Sequence, residues 1–284
     1  MSRQDTVTVI TGASSGIGLD AAHRLARRGE ALVLLCRNER RGLPARDAVR
    51  AASGNPDVHL VTADLASFAQ VREAGARIAR EWPRITALVN NAGLASLERK
   101  VTEDGFELTL QVNHLSHFLL THLLLDPLRA GRARVVNVSS EAHRRGRLRR
   151  APLEEILRGP MAYRGFQTYC DAKLANVLFT FELARREARG GITANALHPG
   201  TLSTRIWDRN PGWKYWVAQL FKLFMEKPEV GGRAAARLAS APDVEGVTAE
   251  YFNKQVRDST LRDARDPELA GELWDASARA TGLV

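Results

Sequence analysis

The sequence predicts an α/β fold, a doubly wound parallel sheet of about seven strands with helices on both faces, and two observations carry that prediction. Short apolar runs recur along the chain, each followed by a longer stretch with helical spacing, and alternating units of this kind build parallel sheets. The stretch Thr11-Gly12-Ala13-Ser14-Ser15-Gly16-Ile17-Gly18 stands directly behind the first apolar run and ahead of the first helical pattern. Glycines in a strand-to-helix turn free the backbone conformation and leave no Cβ between the amides and an approaching anion. The helix that starts there offers unpaired N–H groups and the positive end of its dipole, which suits a diphosphate. No linker interrupts the alternation, so the 284 residues read as one domain.

The elements follow in order. Residues 7–10 form a short buried strand and 19–28 the first helix. A second apolar strand, 31–36, stops at Arg37, with Arg40 and Arg41 close behind. In a dinucleotide-binding sheet an acidic residue at this strand end bonds the ribose 2′-hydroxyl, whereas an arginine accommodates a 2′-phosphate. The position therefore favours NADP(H) over NAD(H). Pro44 suits the first residue of a helix reaching Ala52, and Asn55-Pro56 marks the turn out of it. Residues 58–63 form the third strand. Asp64 and Leu65 follow, placed either to cap the helix from Ser67 or to face a ligand at the strand's carboxyl end.

Residues 85–89 form the fourth strand, and Asn90-Asn91-Ala92-Gly93 gives small and amide residues where a backbone must pass close to a cofactor. A long helical pattern covers 104–128, broken at Pro127. Asn113 inside it is a poor helix former, which points to a task for its side chain. The fifth strand, 134–138, ends in Ser139-Ser140. A loop of some 28 residues then leads to Tyr169, whose helix continues through Lys173 to Arg189. Tyr169 and Lys173 are neighbours on one helix face. A phenol titrates near 10, and an adjacent ammonium favours its anion. The sixth strand, 192–197, runs into His198-Pro199-Gly200, and 267–280 reads as a final amphipathic helix.

Between them, residues 201–228 carry Trp207, Trp213, Tyr215, Trp216, Phe221 and Phe224 in a chain only 6% aromatic. Three readings stay open for this segment: an apolar lid over a large hydrophobic substrate, a helix burying its aromatic face in the core, or contact with a membrane surface.

Composition narrows the function. With 44% hydrophobic residues a large core is available. No apolar run is long enough to span a bilayer, and the first strand begins too early for a signal peptide, so a soluble cytoplasmic protein is expected. Cys36 and Cys170 are too few for a disulfide framework and lack metal-ligand spacing, so no metal is expected. The net charge of +9 comes from 35 arginines and 6 lysines spread over most helices, a compositional bias and not a nucleic-acid-binding stripe. The one cluster is Arg144, Arg145, Arg147, Arg149 and Arg150. It reads as a solvated basic loop or as an attractor of an anionic substrate or phosphate.

Together these segments resemble the short-chain dehydrogenase/reductase family, and within it the retinol-dehydrogenase-like branch, over essentially the whole chain. The resemblance implies a single-domain Rossmann fold and an NADP(H)-dependent oxidoreductase interconverting a carbonyl and an alcohol. It makes Tyr169 the general acid/base, Lys173 its ammonium neighbour and a ligand of the nicotinamide ribose, Ser140 the holder of the carbonyl oxygen, and Asn113 the residue ordering a water beside Lys173. Gly12, Ser14, Ser15, Gly16, Ile17 and Gly18 would cradle the pyrophosphate and Arg37 the 2′-phosphate. Asp64 with Leu65 would meet the adenine, Asn91 with Ala92 and Gly93 the adenosine-side ribose, and Pro199 and Gly200 would complete the cofactor site. The substrate would be a bulky hydrophobic carbonyl or alcohol, retinoid-like or a polyketide-type ketone, with reduction favoured. A homodimer paired through helices 104–128 and 167–189 is the expectation from relatives. The alternative is a non-catalytic dinucleotide sensor or partner-binding module on the same fold.

Overall fold

The computed structural model describes residues 6–200 and 228–284. In chain order it comprises β1 (Val7–Thr11), α1 (Gly16–Arg27), β2 (Leu32–Cys36), α2 (Glu39–Ser53), β3 (Val58–Thr62), α3 (Phe68–Glu81) and β4 (Ile85–Asn90). Next come α4 (Leu108–Leu110), a π-helical turn (Gln111–Leu115), α5 (Ser116–Leu123), α6 (Leu125–Gly131) and β5 (Arg134–Val138). After α7 (Leu153–Arg158), α8 (Gly165–Arg186) and β6 (Thr193–His198), the described chain resumes with α9 (Pro228–Ser240), β7 (Glu250–Asn253), β8 (Val256–Arg257) and α10 (Pro267–Ala280).

The strands form one sheet in the order β3-β2-β1-β4-β5-β6-β7-β8. All neighbours are parallel except β7 with β8. The expected parallel, doubly wound sheet is therefore present, one strand larger than predicted and with an antiparallel edge. Every residue of β1 and β2 is buried, as a strand covered on both faces requires. One core lies under α3, α5, α8 and α10, and another under α1 and α9. The order reverses between β1 and β4, so the loops after these two strands flank the crevice where such sheets bind ligands.

Several boundaries differ from the sequence reading, each for a physical reason. Helix α2 starts before Pro44, because Asn38 caps it by accepting the Arg41 amide at 3.2 Å. Pro44 then stands in the helix on its exposed side, where the carbonyl it leaves unpaired can reach solvent. The predicted 104–128 helix begins only at Leu108 and breaks at Leu124. Pro127 falls in the first turn of α6, where a missing N–H costs no hydrogen bond. Asp104 lies ahead of the helix and accepts the Phe68 amide of α3 at 2.8 Å. Asp64 does not cap α3; its carboxylate accepts the Ala66 amide at 3.0 Å. The loop before Tyr169 contains α7 and two 3-10 turns, and α8 starts at Gly165 and ends at Arg186. The aromatic segment lies outside the described residues except for Pro228. No helix among the described residues is long and apolar enough to cross a membrane.

Candidate active site

A cavity of about 1270 Å³ opens at the carboxyl ends of the strands. At one end stands the glycine turn. Gly12 and Gly16 take φ of +68° and +60°, a backbone region that favours glycine. A Cβ on Gly12 would come within 2.8 Å of Ala92 Cα, whereas one on Gly16 would meet nothing within 4 Å. The first glycine lets two chain segments touch, and the second leaves the start of α1 open to the cavity. The Asn91 amide fastens the turn by donating to the Thr11 carbonyl at 2.8 Å. Arg37 and Arg41 line the same end, and neither has an ion pair among the described residues.

At the other end β5 delivers Ser140, and α8 delivers Tyr169 and Lys173. Ser139 Oγ donates to the Lys173 carbonyl at 2.8 Å, and Lys173 Nζ and Asn176 Nδ2 both donate to the Val138 carbonyl, at 3.0 and 3.3 Å. These bonds clamp helix to strand end. The Ser140 hydroxyl accepts the Ala142 amide at 3.2 Å and is hydrogen-bonded to the Tyr169 phenol. Burial pushes the Tyr169 phenol up to about 12, and the Ser140 hydrogen bond pulls it back. Burial alone brings the Lys173 ammonium down to about 8. Its nitrogen lies 5.6 Å from the Tyr169 ring centroid. The expectation that the lysine keeps the phenol acidic is thus outweighed here by desolvation, which acts on a phenol only 8% exposed.

Asn113 sits in the π-helical turn, fully buried. Its amide accepts from Leu94 N at 2.8 Å and donates to Leu94 O at 2.9 Å, which fixes the backbone after Gly93. One turn later, His117 Nδ1 meets the Asn113 carbonyl at 3.1 Å and Nε2 meets Thr11 Oγ1 at 2.9 Å. A carbonyl can only accept, so Nδ1 carries the proton and the Thr11 hydroxyl donates to Nε2. The Thr11 oxygen is then free to accept the Asn91 and Ala92 amides, both at 2.9 Å. Burial holds His117 down at about 4, so the ring stays neutral and the relay keeps this direction.

The cavity brings together Gly12, Ser14, Ser15, Gly16, Ile17, Arg37, Asp64, Leu65, Asn91, Ala92, Gly93, Ser140, Tyr169, Lys173, Pro199 and Gly200. Gly18 and Asn113 do not line it. Gly18 packs behind the turn, where a Cβ would lie 2.6 Å from the Asn91 amide, and Asn113 supports Gly93 and Leu94 from behind. Sequence reasoning missed Thr11 and His117 as supports, although a histidine one helical turn after Asn113 was the available signal. It also missed the pairing of Glu141, which lines the cavity, with Arg144 at 2.7 Å and the Tyr251 phenol at 3.1 Å.

Residues 6–152 match the short chain dehydrogenase family. The chain is 38% identical to human retinol dehydrogenase 13 over 282 residues, covering 97% of this chain and 84% of that protein. This chain belongs to the short-chain dehydrogenase family. It is also 40% identical over 279 residues to human dehydrogenase/reductase SDR family member 13, covering 97% of this chain and 73% of that one. A crystal structure of an uncharacterized protein from Mycobacterium paratuberculosis superposes with a TM-score of 0.76 at 31% identity, over 98% of this chain and 94% of the other. As a short-chain dehydrogenase the protein is an oxidoreductase that works with a nicotinamide dinucleotide.

Proposed function

We propose that this short-chain dehydrogenase is an NADP(H)-dependent carbonyl reductase acting on a bulky hydrophobic ketone or aldehyde, with Ser140, Tyr169 and Lys173 as its catalytic residues. The observation that carries the reading is the hydrogen-bonded Ser140–Tyr169 pair, with Lys173 one turn away, facing the cavity that the glycine turn closes at its other end. The cavity exceeds the ~300–1000 Å³ of a single small-molecule pocket, which leaves room for a dinucleotide and a substrate together. The open Gly16 backbone at the start of α1 suits a pyrophosphate, and Arg37 with Arg41 suits a 2′-phosphate. Leu94, Leu108, Val112 and Phe166 line the same cavity and give it apolar surface.

Reduced nicotinamide, when bound, supplies the hydride to the carbonyl carbon. The Ser140 hydroxyl donates to the carbonyl oxygen as negative charge grows there, and Tyr169 transfers its phenolic proton to the same oxygen. The tyrosinate left behind is held by the Ser140 hydrogen bond and the Lys173 charge, which the Val138 carbonyl keeps in place. A phenol near 12 is a poor donor in the resting site, so a charged neighbour matters at the moment of transfer and not before. The relay through Thr11, His117 and Asn113 ties the end of β1 to the loop after β4, which fixes the glycine-turn end of the cavity.

The test is consumption of NADPH and NADH with a panel of hydrophobic carbonyls. Wild type is expected to prefer NADPH, and Tyr169→Phe to lose at least about 10³-fold in kcat while NADPH affinity, read by fluorescence, changes little. Normal turnover by the variant sinks the assigned acid, and a preference for NADH sinks the assigned cofactor. A chain that binds NADPH but reduces nothing favours a sensor.

A further inference from the structure

We propose that Arg145, stacked over Phe166 in the catalytic cavity, anchors a carboxylate of the substrate, so that the enzyme's substrates are oxo or hydroxy acids with an apolar body. The proposal rests on the carbonyl-reductase reading and narrows its substrate class.

Five arginines crowd residues 144–150, and the structure separates them. Arg144 pairs with Glu141 at 2.7 Å and Asp258 at 3.7 Å, Arg149 with Asp266 at 2.5 Å, and Arg150 with Asp171 at 2.6 Å. Arg147 does not line the cavity. Arg145 does, and no carboxylate among the described residues pairs with it. Its guanidinium carbon lies 5.9 Å from the centroid of the Phe166 ring, a cation–π arrangement that leaves the donor edge free. Glu141, which also lines the cavity, is already engaged by Arg144 and Tyr251.

The backbone that carries Arg145 is fixed. Gln167 donates to the Arg145 carbonyl at 2.8 Å and to Asp171 Oδ1 at 2.9 Å, and the same oxygen accepts the Arg147 amide at 2.8 Å. Asp171 is fully buried, so the loop is pinned to α8 at the Arg145 carbonyl and at the Arg147 amide. Phe166 and Tyr169 lie three residues apart on that helix, a rise of about 4.5 Å. That rise and the 5.9 Å guanidinium–ring separation together set a scale on the order of 10 Å, which an extended chain of roughly eight bonds spans. Leu94, Leu108 and Val112 offer apolar surface in the same cavity.

The experiment compares an ω-oxo alkanoic acid of about eight carbons with its neutral primary amide, using wild type, Arg145→Gln and Arg145→Lys. It adds calorimetric binding of octanoate and octanamide, which needs no turnover. Arg145→Gln is expected to lower the acid-over-amide ratio of kcat/KM roughly fivefold to twentyfold and octanoate affinity by a similar factor, with partial recovery in Arg145→Lys. An unchanged ratio and unchanged octanoate affinity overturn the anchor and leave the reductase reading intact. Equal losses for acid and amide mark Arg145 as a structural residue and overturn it too. Octanoate binding that depends on Arg145, in a wild type that reduces neither carbonyl, supports the anchor and overturns the reductase reading.

Discussion

Lys173 is the residue whose protonation links chemistry to folding. Its ammonium is brought down to about 8 by burial, and in the proposed reduction it has to be charged to offset the tyrosinate that forms. Reductive kcat/KM is therefore expected to be level below pH 8 and to fall as pH rises through it, well before Tyr169 titrates at about 12. Stability responds in the opposite sense. Unfolded, the lysine keeps its proton up to its ordinary 10.5, so between about 8 and 10.5 the unfolded chain binds more protons and folding gains, by about 3 kcal/mol at most. Lys173→Arg keeps its charge throughout, so its activity decline moves to higher pH; a profile identical to wild type removes Lys173 from the mechanism. The identity and spacing of Ser140, Tyr169, Lys173 and Arg37 were legible because their chemistry is local to a strand end or a helical turn. The balance of charge was not, because burial of Tyr169 and Lys173 is set by segments far away in the chain.

The π-helical turn between α4 and α5 shows why one element escaped the sequence. Propensity marks Asn113 as misplaced in a helix, but its two bonds to Leu94 and the His117 relay to Thr11 join residues that only tertiary structure brings together. The extra residue of such a turn re-aims backbone groups, and here it leaves the Asn113 carbonyl facing His117. Replacing His117 by Ala would remove the ring's bonds to that carbonyl and to the Thr11 hydroxyl and open a cavity. A loss of about 2–4 kcal/mol in denaturant unfolding is expected, with weaker NADPH binding. A variant as stable as wild type with normal affinity would show the relay to be incidental. The strands were easier, since β1, β2 and β4 are apolar runs that no other arrangement could bury. Strand β7 was missed because its buried pair, Tyr251 and Phe252, is too short a run to read as a strand.

At the scale of the molecule, α10 lies across α5 and α8. Trp274 stacks against Phe118, His122 and Phe179 at centroid distances of 5.1, 4.8 and 5.9 Å, Ser277 bonds His114 at 2.9 Å, and Arg186 lies 4.4 Å over the Trp274 ring. One face of α5 and α8, two of the helices in the segments expected to pair with a second copy, thus carries a helix of the same chain. Ending the chain at Arg265 should bare that face, and sedimentation is expected to show association or aggregation of the shortened protein. A stable, monomeric truncation would mean that α10 protects nothing. The fold class was legible from alternation alone, but the cover over α8 was not, since an amphipathic tail helix does not announce which face it will meet. Synthesis proceeds from the amino end, so the helix bearing the phenol and the amine leaves the ribosome long before its outer cover does. A message cut short near its end would yield a polypeptide with every reactive side chain present and nothing to press them into place.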